Sequence, residues 1–146
     1  MCEVRFYEFD EIRDRLLRFA VIVSVYKRKW VFCRHRERDT LEIPGGHVEE
    51  RETVYDAAVR ELKEETGADV FDIKPVCVYS VISEENFEGR ETLGGLFFAD
   101  IISFEGRLEH EIERVYFLED MPEKWTYPLI QPKLIEEAVK RGFGAE

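Results

Sequence analysis

Three glutamates in the first half of the chain have a spacing suited to holding a metal ion. Glu61, Glu64 and Glu65 are related by steps of i, i+3 and i+4, so on a helix their carboxylates share one edge. Such like charges destabilise an isolated helix by about 0.2–0.5 kcal/mol per pair unless cations neutralise them. Mg²⁺ prefers carboxylate and water oxygens, completed by phosphate oxygens of a substrate. The triplet predicts either a Mg²⁺ site or a solvated acidic face.

The segment that carries these glutamates is predicted to be a helix over residues 53–66. Thr53 and Asp56 have the spacing of an N-terminal capping box, and Gly67 supplies the C-terminal stop. The side expected to face the core is formed by Val54, Ala58, Leu62 and either Tyr55 or Val59. Both ends of the helix are therefore defined by local sequence.

A loop that allows close approach is predicted just before this helix. The short extended piece 41–43 runs into Pro44-Gly45-Gly46, where proline stops a strand and glycines permit backbone conformations closed to other residues. We expect the backbone here to come close to another group.

The remaining pattern indicates strands interleaved with one further helix. Strands are expected at 19–26, 30–33, 76–82, 93–102 and 115–118, and an amphipathic helix at 132–141. The first two strands form a predicted hairpin around Lys27-Arg28-Lys29. This succession predicts an α/β or α+β domain with a mixed β-sheet between helices.

Composition limits the class of protein. The chain has 146 residues, 45% of them hydrophobic, which suits one folded domain spanning 1–146. With 32 acidic against 21 basic residues the net charge is -11, so its average field repels nucleic acids and anionic membranes. A phosphorylated ligand would need cations or a local basic patch.

The cysteines and the hydropathy pattern bear on location. Cys2, Cys33 and Cys77 are widely spaced and include no C-x-x-C pair, so we expect reduced thiols. The N-terminal residues carry acids and no long apolar run, and no later stretch approaches the roughly 20 apolar residues of a membrane span. A cytoplasmic location is expected.

The pattern around the glutamate triplet resembles the signature box of the Nudix (MutT-like) hydrolases. It reads Gly46, five residues, Glu52, seven residues, Arg60-Glu61-Leu62, one residue, Glu64-Glu65, one residue and Gly67, after the frequent lead-in Pro44-Gly45-Gly46. The box covers 46–68 and departs from the family only at its last position, where Ala68 replaces a bulky aliphatic residue. The resemblance implies the Nudix α/β/α sandwich.

The resemblance also implies roles for residues of the box. Glu61, Glu64 and Glu65 match the metal ligands of the family, and Glu52 matches a residue that supports the metal site. Arg60 is expected to fix Glu61 by a charge-assisted hydrogen bond, the alternative being a surface pair with Asp56. Gly45 and Gly46 would offer a backbone carbonyl to the metal or simply form a tight turn. Mg²⁺ is the implied cofactor, with Mn²⁺ as the alternative.

The general base and the substrate contacts are less closely defined. In the family the base lies inside the box, where we favour Glu61, or on a loop outside it, where Glu111 is slightly preferred; the other acids considered are Glu84, Glu85, Glu88, Glu91 and Glu109. The basic cluster Arg34, His35 and Arg36 is predicted either to contact phosphate or to be a solvated strand end. Five aromatic residues could stack on a nucleobase, but aromatic residues in such numbers usually fill the core, so none is assigned to the base: Trp30, Phe97, Phe98, Trp125 and Tyr127.

Three functions follow as expectations. The first is hydrolysis of a nucleoside diphosphate linked to another group, with nucleoside triphosphates, including oxidised ones, ahead of nucleotide sugars such as ADP-ribose. The second is a nucleotide sensor that does not cleave, which the complete set of box glutamates disfavours. The third is an interaction module, which leaves the acidic edge unexplained. The expected partner is a small nucleotide, without nucleic acid polymer or membrane, and a homodimer is common in the resembled family.

Overall fold

The protein is described by a computed structural model that covers residues 2–83, 91–105 and 112–144. In these residues the strands are β1 (Cys2–Tyr7), β2 (Phe19–Tyr26), β3 (Lys29–His35), β4 (Gly45–His47), β5 (Ala68–Ser83), β6 (Glu91–Phe104) and β7 (Ile112–Leu118). The helices are α1 (Val54–Thr66) and α2 (Gln131–Lys140), with short 3₁₀ turns at Phe9–Glu11 and Asp14–Leu16. No helix in the described ranges is long and apolar enough to span a membrane.

The strands form one mixed sheet in the order β1-β5-β6-β2-β3-β7, with β4 pairing separately with β2. β2 runs parallel to β6, while the other pairings are antiparallel. β2 is apolar on both faces because each is covered: Ala20 and Ile22 face the α1 side, whereas Val21 and Val23 face the α2 side. The result is the predicted α/β/α sandwich.

Helix α1 begins and ends as predicted. The Thr53 hydroxyl accepts the backbone N–H of Asp56, and the Asp56 carboxylate accepts that of Thr53. Gly67 ends the helix with φ 75°, in the left-handed region. The buried side includes Ala57 in place of the suggested Tyr55, which is exposed.

The hairpin between β2 and β3 is also confirmed. Its turn consists of the two residues Lys27 and Arg28, both with positive φ, and Tyr26 pairs with Lys29. Two successive positive φ values characterise the type I′ turn, whose twist matches that of the strands.

The glycine segment before α1 differs from the prediction. Gly45 and Gly46 begin a short strand paired with Val21 and Ala20, and neither is among the positive-φ residues. A Cβ on Gly45 would lie 2.7 Å from the backbone oxygen of Ala20. The loop prediction is wrong, but the expected close approach of backbone is present, since only glycine leaves room for β2.

Several strands and one helix differ from their predicted limits. β5 begins well before residue 76 and β6 extends slightly beyond both ends of 93–102, because the two strands pair with each other over almost their whole length. β1 was not predicted. Residues 41–43 contribute isolated bridges, Glu42 to Cys33 and Leu41 to Trp125, instead of a strand. α2 begins one residue before Pro132 and ends at Lys140.

Candidate functional site

A cleft of about 700 Å³ opens between the C-terminal half of α1, strand β4 and the N-terminus of α2. This volume suits a nucleotide-sized ligand. Glu61, Glu64 and Glu65 all line it, together with Gly45 and Gly46. The edge of α1 identified from the sequence therefore faces a concave site.

Arg60 organises one side of the acidic cluster. Its Nε and Nη2 donate to the two carboxylate oxygens of Glu52 at 2.7 and 2.9 Å, and Nη2 also donates to the carbonyl of His47 at 3.0 Å. Its Nη1 donates to Glu61 at 3.2 Å and to Glu64 at 3.4 Å. The predicted bond to Glu61 is present. The hydrogen bond that Arg60 donates to Glu52, followed by the charges of Glu61 and Glu49, raises the pKa of Arg60.

Glu52 lies behind the site. It is not among the residues that line the cleft, and its carboxylate serves as the anchor of the Arg60 fork. The hydrogen bond from Arg60 lowers the pKa of Glu52, which favours a permanently ionised anchor. The alternative partner for Arg60, Asp56, is used in the helix cap.

Glu61 packs directly against the glycine segment. A Cβ built on Gly46 would overlap the Glu61 carboxylate, so a side chain there would displace this group. Burial is the largest influence on the pKa of Glu61 and raises it. Because Gly46 has no side chain, the Glu61 carboxylate can occupy the space beside its Cα.

Glu65 is the most buried carboxylate of the triplet. Its Oε1 accepts the backbone N–H of Gly45 at 2.8 Å, and its Oε2 lies 3.6 Å from Nε2 of His35. Burial raises the pKa of Glu65 to about 8, with further upward contributions from Glu61 and Glu42. A nearby cation would favour the ionised form of the Glu65 carboxylate, which burial disfavours.

The donor set fits a divalent hard cation. Glu61, Glu64 and Glu65 offer carboxylate oxygens on one cleft wall, the ligands that Mg²⁺ and Mn²⁺ accept. Within residues 2–83, 91–105 and 112–144, no group of three or more His, Cys, Asp or Glu side chains is arranged so that it could hold a metal ion by itself. Mg²⁺ sites commonly use one or two carboxylates with substrate phosphates, so an open arrangement is consistent with this chemistry.

Only one residue of the basic cluster predicted from the sequence lines the cleft. His35 lines the cleft, as does the later Arg38, whereas Arg34 and Arg36 are not among the lining residues. Arg34 donates to the backbone oxygen of Arg38 at 3.1 Å. The Arg38 guanidinium lies 6.0 Å from the centre of the Tyr127 ring at the cleft, which makes Arg38 the better-placed guanidinium.

Of the acids proposed as a general base outside the box, only Glu91 lies within the described residues. Glu111, Glu109 and the three acids between 84 and 88 lie outside the described residues. Glu91 accepts the Tyr7 hydroxyl at 2.9 Å. The neighbouring Thr92 lines the cleft, and successive side chains of a strand alternate, so Glu91 points to the opposite face of the sheet.

The aromatic candidates occupy mostly structural positions. Phe97 is buried under α1, while Phe98, Trp30 and Trp125 pack against the α2-side core. Tyr127 alone of the five lines the cleft.

Besides Arg38, the polar cleft residues that were not identified from the sequence include Glu42, Glu49 and Gln131. Glu42 is buried between β3 and the glycine segment, and Glu49 lines the cleft near Arg60. Gln131, the first residue of α2, is buried and accepts the backbone N–H of Ile43 at 2.9 Å. The only local signal for Glu42 was the presence of an acid within the extended piece 41–43. Glu49 and Gln131 could be assigned to the cleft only from the tertiary structure.

The family assignment rests on comparisons with known proteins. The family model described as "NUDIX domain" matches residues 15–138. The Bacillus subtilis (strain 168) protein named "Putative 8-oxo-dGTP diphosphatase YtkD" is 33% identical over 103 residues, which are 70% of this chain and 62% of that protein. The chain thus spans about three fifths of the length of this curated relative.

Solved structures give the same fold. A variant of the Bacillus subtilis pyrophosphohydrolase BsRppH superposes with a TM-score of 0.78 at 25% identity, covering 98% of this chain and 93% of that one. A NUDIX hydrolase from Nitrosomonas europaea has a TM-score of 0.70 at 22% identity, with 88% and 93% covered. The match of the NUDIX domain model over residues 15–138 shows that the chain belongs to the Nudix family.

Proposed function

We propose that this chain is a metal-dependent hydrolase of phosphoric anhydride bonds in nucleotides. The observation that carries the proposal is the convergence of Glu61, Glu64 and Glu65 on one wall of a nucleotide-sized cleft. Within the Nudix family this set corresponds to metal ligands, and the names of the relatives include a diphosphatase and a pyrophosphohydrolase. The complete carboxylate set favours cleavage over simple sensing.

The expected reaction is attack of water on one phosphorus of a diphosphate, with cleavage of the anhydride P–O bond. Bound Mg²⁺ or Mn²⁺ would supply charge neutralisation of the diphosphate and a lower pKa for the attacking water. Glu61, Glu64 and Glu65 would hold the cation, while Arg60 and Glu52 fix the direction of the Glu61 carboxylate. Glu64 is the most accessible of the three, with 41% of its side chain exposed.

The general base is proposed to lie in the cleft. Glu61 remains the first candidate because it is cradled by Gly46 and its pKa is raised by burial, which moves a carboxyl towards the range useful for proton transfer. Glu111 stays a prediction from the sequence. For the phosphate contact we propose Arg38 in place of Arg34 and Arg36, since it lines the cleft.

We propose a nucleoside triphosphate as the substrate, with oxidised purine nucleotides first, and monophosphate plus pyrophosphate as the products. The support is the name of the relative that is 33% identical. ADP-ribose is the competing substrate, named for a Streptococcus suis pyrophosphatase whose 18% identity shows the fold alone. The monomer or homodimer state and the cytoplasmic location remain predictions; Cys2, Cys33 and Cys77 are free thiols.

The test is a substrate panel with Mg²⁺, comparing the wild type with Glu64→Gln. The panel contains nucleoside triphosphates, 8-oxo-dGTP, ADP-ribose and dinucleoside polyphosphates. The variant removes one charge with little change in volume, so we expect turnover to fall by roughly 100-fold or more while the free energy of unfolding changes by less than about 1 kcal/mol. Glu64→Gln with normal turnover would remove Glu64 from the metal site.

The products identify the bond that is cleaved. Monophosphate plus pyrophosphate indicates a triphosphate substrate, two monophosphates indicate a nucleotide sugar such as ADP-ribose, and a nucleotide product with two or more phosphates indicates a dinucleoside polyphosphate. If no member of the panel is cleaved but one of them stabilises the protein against heat, the sensor function replaces the hydrolase.

A further inference from the structure

A histidine lies between two buried carboxylates at the edge of the candidate metal site. Nε2 of His35 is 3.1 Å from Oε2 of Glu42 and 3.6 Å from Oε2 of Glu65. The side chains of Glu42 and Glu65 are only 8% and 12% exposed. The three residues come from β3, the segment after it and the last turn of α1, so tertiary structure alone brings them together.

Each oxygen of the two carboxylates has a nearby partner. The remaining oxygen of Glu65 accepts the backbone N–H of Gly45 at 2.8 Å, and that of Glu42 accepts Nη1 of Arg38 at 3.2 Å. The 3.1 Å distance from Nε2 to Glu42 fits a hydrogen bond, whereas the 3.6 Å distance to Glu65 is an ion-pair contact. The Glu65 carboxylate is therefore held by Gly45 at one oxygen and flanked by the His35 imidazole at the other.

We propose that His35, itself held by Glu42, is a positioning residue that orients Glu65 for a divalent cation. Arg60 orients Glu61 in the same way on the other side of the cluster, so two of the three glutamates each have a dedicated partner. Outer partners of this type fix ligand direction before the ion arrives, and their loss typically weakens metal binding or activity by about 10–100-fold. This inference rests on the proposed function, because it assumes that Glu65 binds the cation.

The two distances indicate which carboxylate holds the imidazole. One Nε2–H serves one acceptor fully at a time, and Glu42 is the nearer one. Glu42 therefore fixes the imidazole beside Oε2 of Glu65, and the imidazole limits where that oxygen can lie.

The experiment measures Mn²⁺ binding to the full chain by calorimetry, without substrate. The variants are His35→Ala, His35→Gln, Glu65→Gln and Glu42→Gln. We expect His35→Ala to raise the Mn²⁺ dissociation constant by about 10-fold, with partial recovery in His35→Gln, whose amide can still donate. Arg15→Ala is the control, because Arg15 is exposed and is not among the residues that line the cleft; its Mn²⁺ affinity should equal that of the wild type.

The dependence of turnover on Mg²⁺ concentration distinguishes a positioning role of His35 from a general structural defect. In His35→Ala the Mg²⁺ concentration for half-maximal rate should rise by about 10-fold, whereas kcat at saturating Mg²⁺ should recover to within a few-fold of the wild type. A structural defect would lower kcat at every metal concentration. If His35→Ala does not fold, Glu42→Gln and His35→Gln carry the comparison, and both are expected to bind Mn²⁺ more weakly than the wild type.

The outcomes distinguish this inference from the proposed function. A wild-type chain that binds no Mn²⁺ overturns both. A wild type that binds Mn²⁺, with Glu65→Gln weakened and all His35 and Glu42 variants unchanged, overturns the role of His35 and leaves the proposed function standing. Unchanged binding in Glu65→Gln also overturns it, since there would be no ligand to position.

Discussion

Replacing Arg60 should destabilise the protein because its guanidinium holds several carboxylates together. Arg60→Ala removes a two-point contact with Glu52 at 2.7 and 2.9 Å, and its bonds to Glu61 and Glu64. A hydrogen bond to a charged group contributes about 1.5–3 kcal/mol. Because the Arg60 side chain is 23% exposed and Glu52 is 17% exposed, we expect about 3 kcal/mol for the whole set, near the value of one or two such bonds.

Arg60→Lys separates charge from geometry. Lysine keeps the positive charge but lacks the planar fork that binds both Glu52 oxygens, so we expect a loss of about 1–2 kcal/mol. Turnover should fall by about 10-fold in the lysine variant and by up to about 100-fold in the alanine variant, because Glu61 loses its fixed direction.

Urea denaturation in the presence of a metal chelator is the appropriate assay, because added Mg²⁺ would offset part of the repulsion among the glutamates. Arg15→Ala is the control: Arg15 is exposed, and surface substitutions of this kind change stability by less than about 0.5 kcal/mol. If Arg60→Ala is no less stable than Arg15→Ala, the reasoning that Arg60 organises the carboxylates is refuted.

Further predictions concern the glycine segment, α2 and the helix cap. Gly46→Ala should reduce turnover far more than stability, because the methyl group displaces the Glu61 carboxylate from its position; equal turnover in a folded variant would contradict this. Gln131→Ala leaves the buried N–H of Ile43 without its acceptor, so urea denaturation should show a loss of about 1–3 kcal/mol. Thr53→Ala removes the cap of α1 and should cost about 1 kcal/mol, while Thr53→Ser should be nearly neutral in the same assay.

Helix α1 and its acidic edge could be predicted from the sequence because the signals are local. The cap at Thr53, the stop at Gly67 and the spacing of Glu61, Glu64 and Glu65 all lie within one short segment. Helical geometry converts such spacing into position without help from the rest of the chain. The Nudix resemblance used the same residues, and the structure confirmed the sandwich that it implied.

Long-range pairing decided the features that the sequence did not specify. β1 becomes a strand by pairing with β5, whose residues lie more than 70 positions later, and its own pattern is too weak to predict this. Gly45 and Gly46 join β2 as a short strand, although proline and glycine together favoured a loop. Each of these strands is stabilised by hydrogen bonds and packing against a distant segment. These contacts outweigh the local conformational propensity of the residues.

The residues of the candidate site also fall into two groups, those predicted from the sequence and those found only in the structure. The sequence predicted that three glutamates would share an edge, and the family resemblance implied that Arg60 would hold Glu61, a bond that the structure contains. Only the tertiary structure decided that Glu42 and His35 reach Glu65, and that Gln131 secures the segment leading to Gly45. The physical reason is that helical periodicity fixes neighbours within a few residues, whereas a buried polar group takes its partner from whichever strand or helix the fold packs against it.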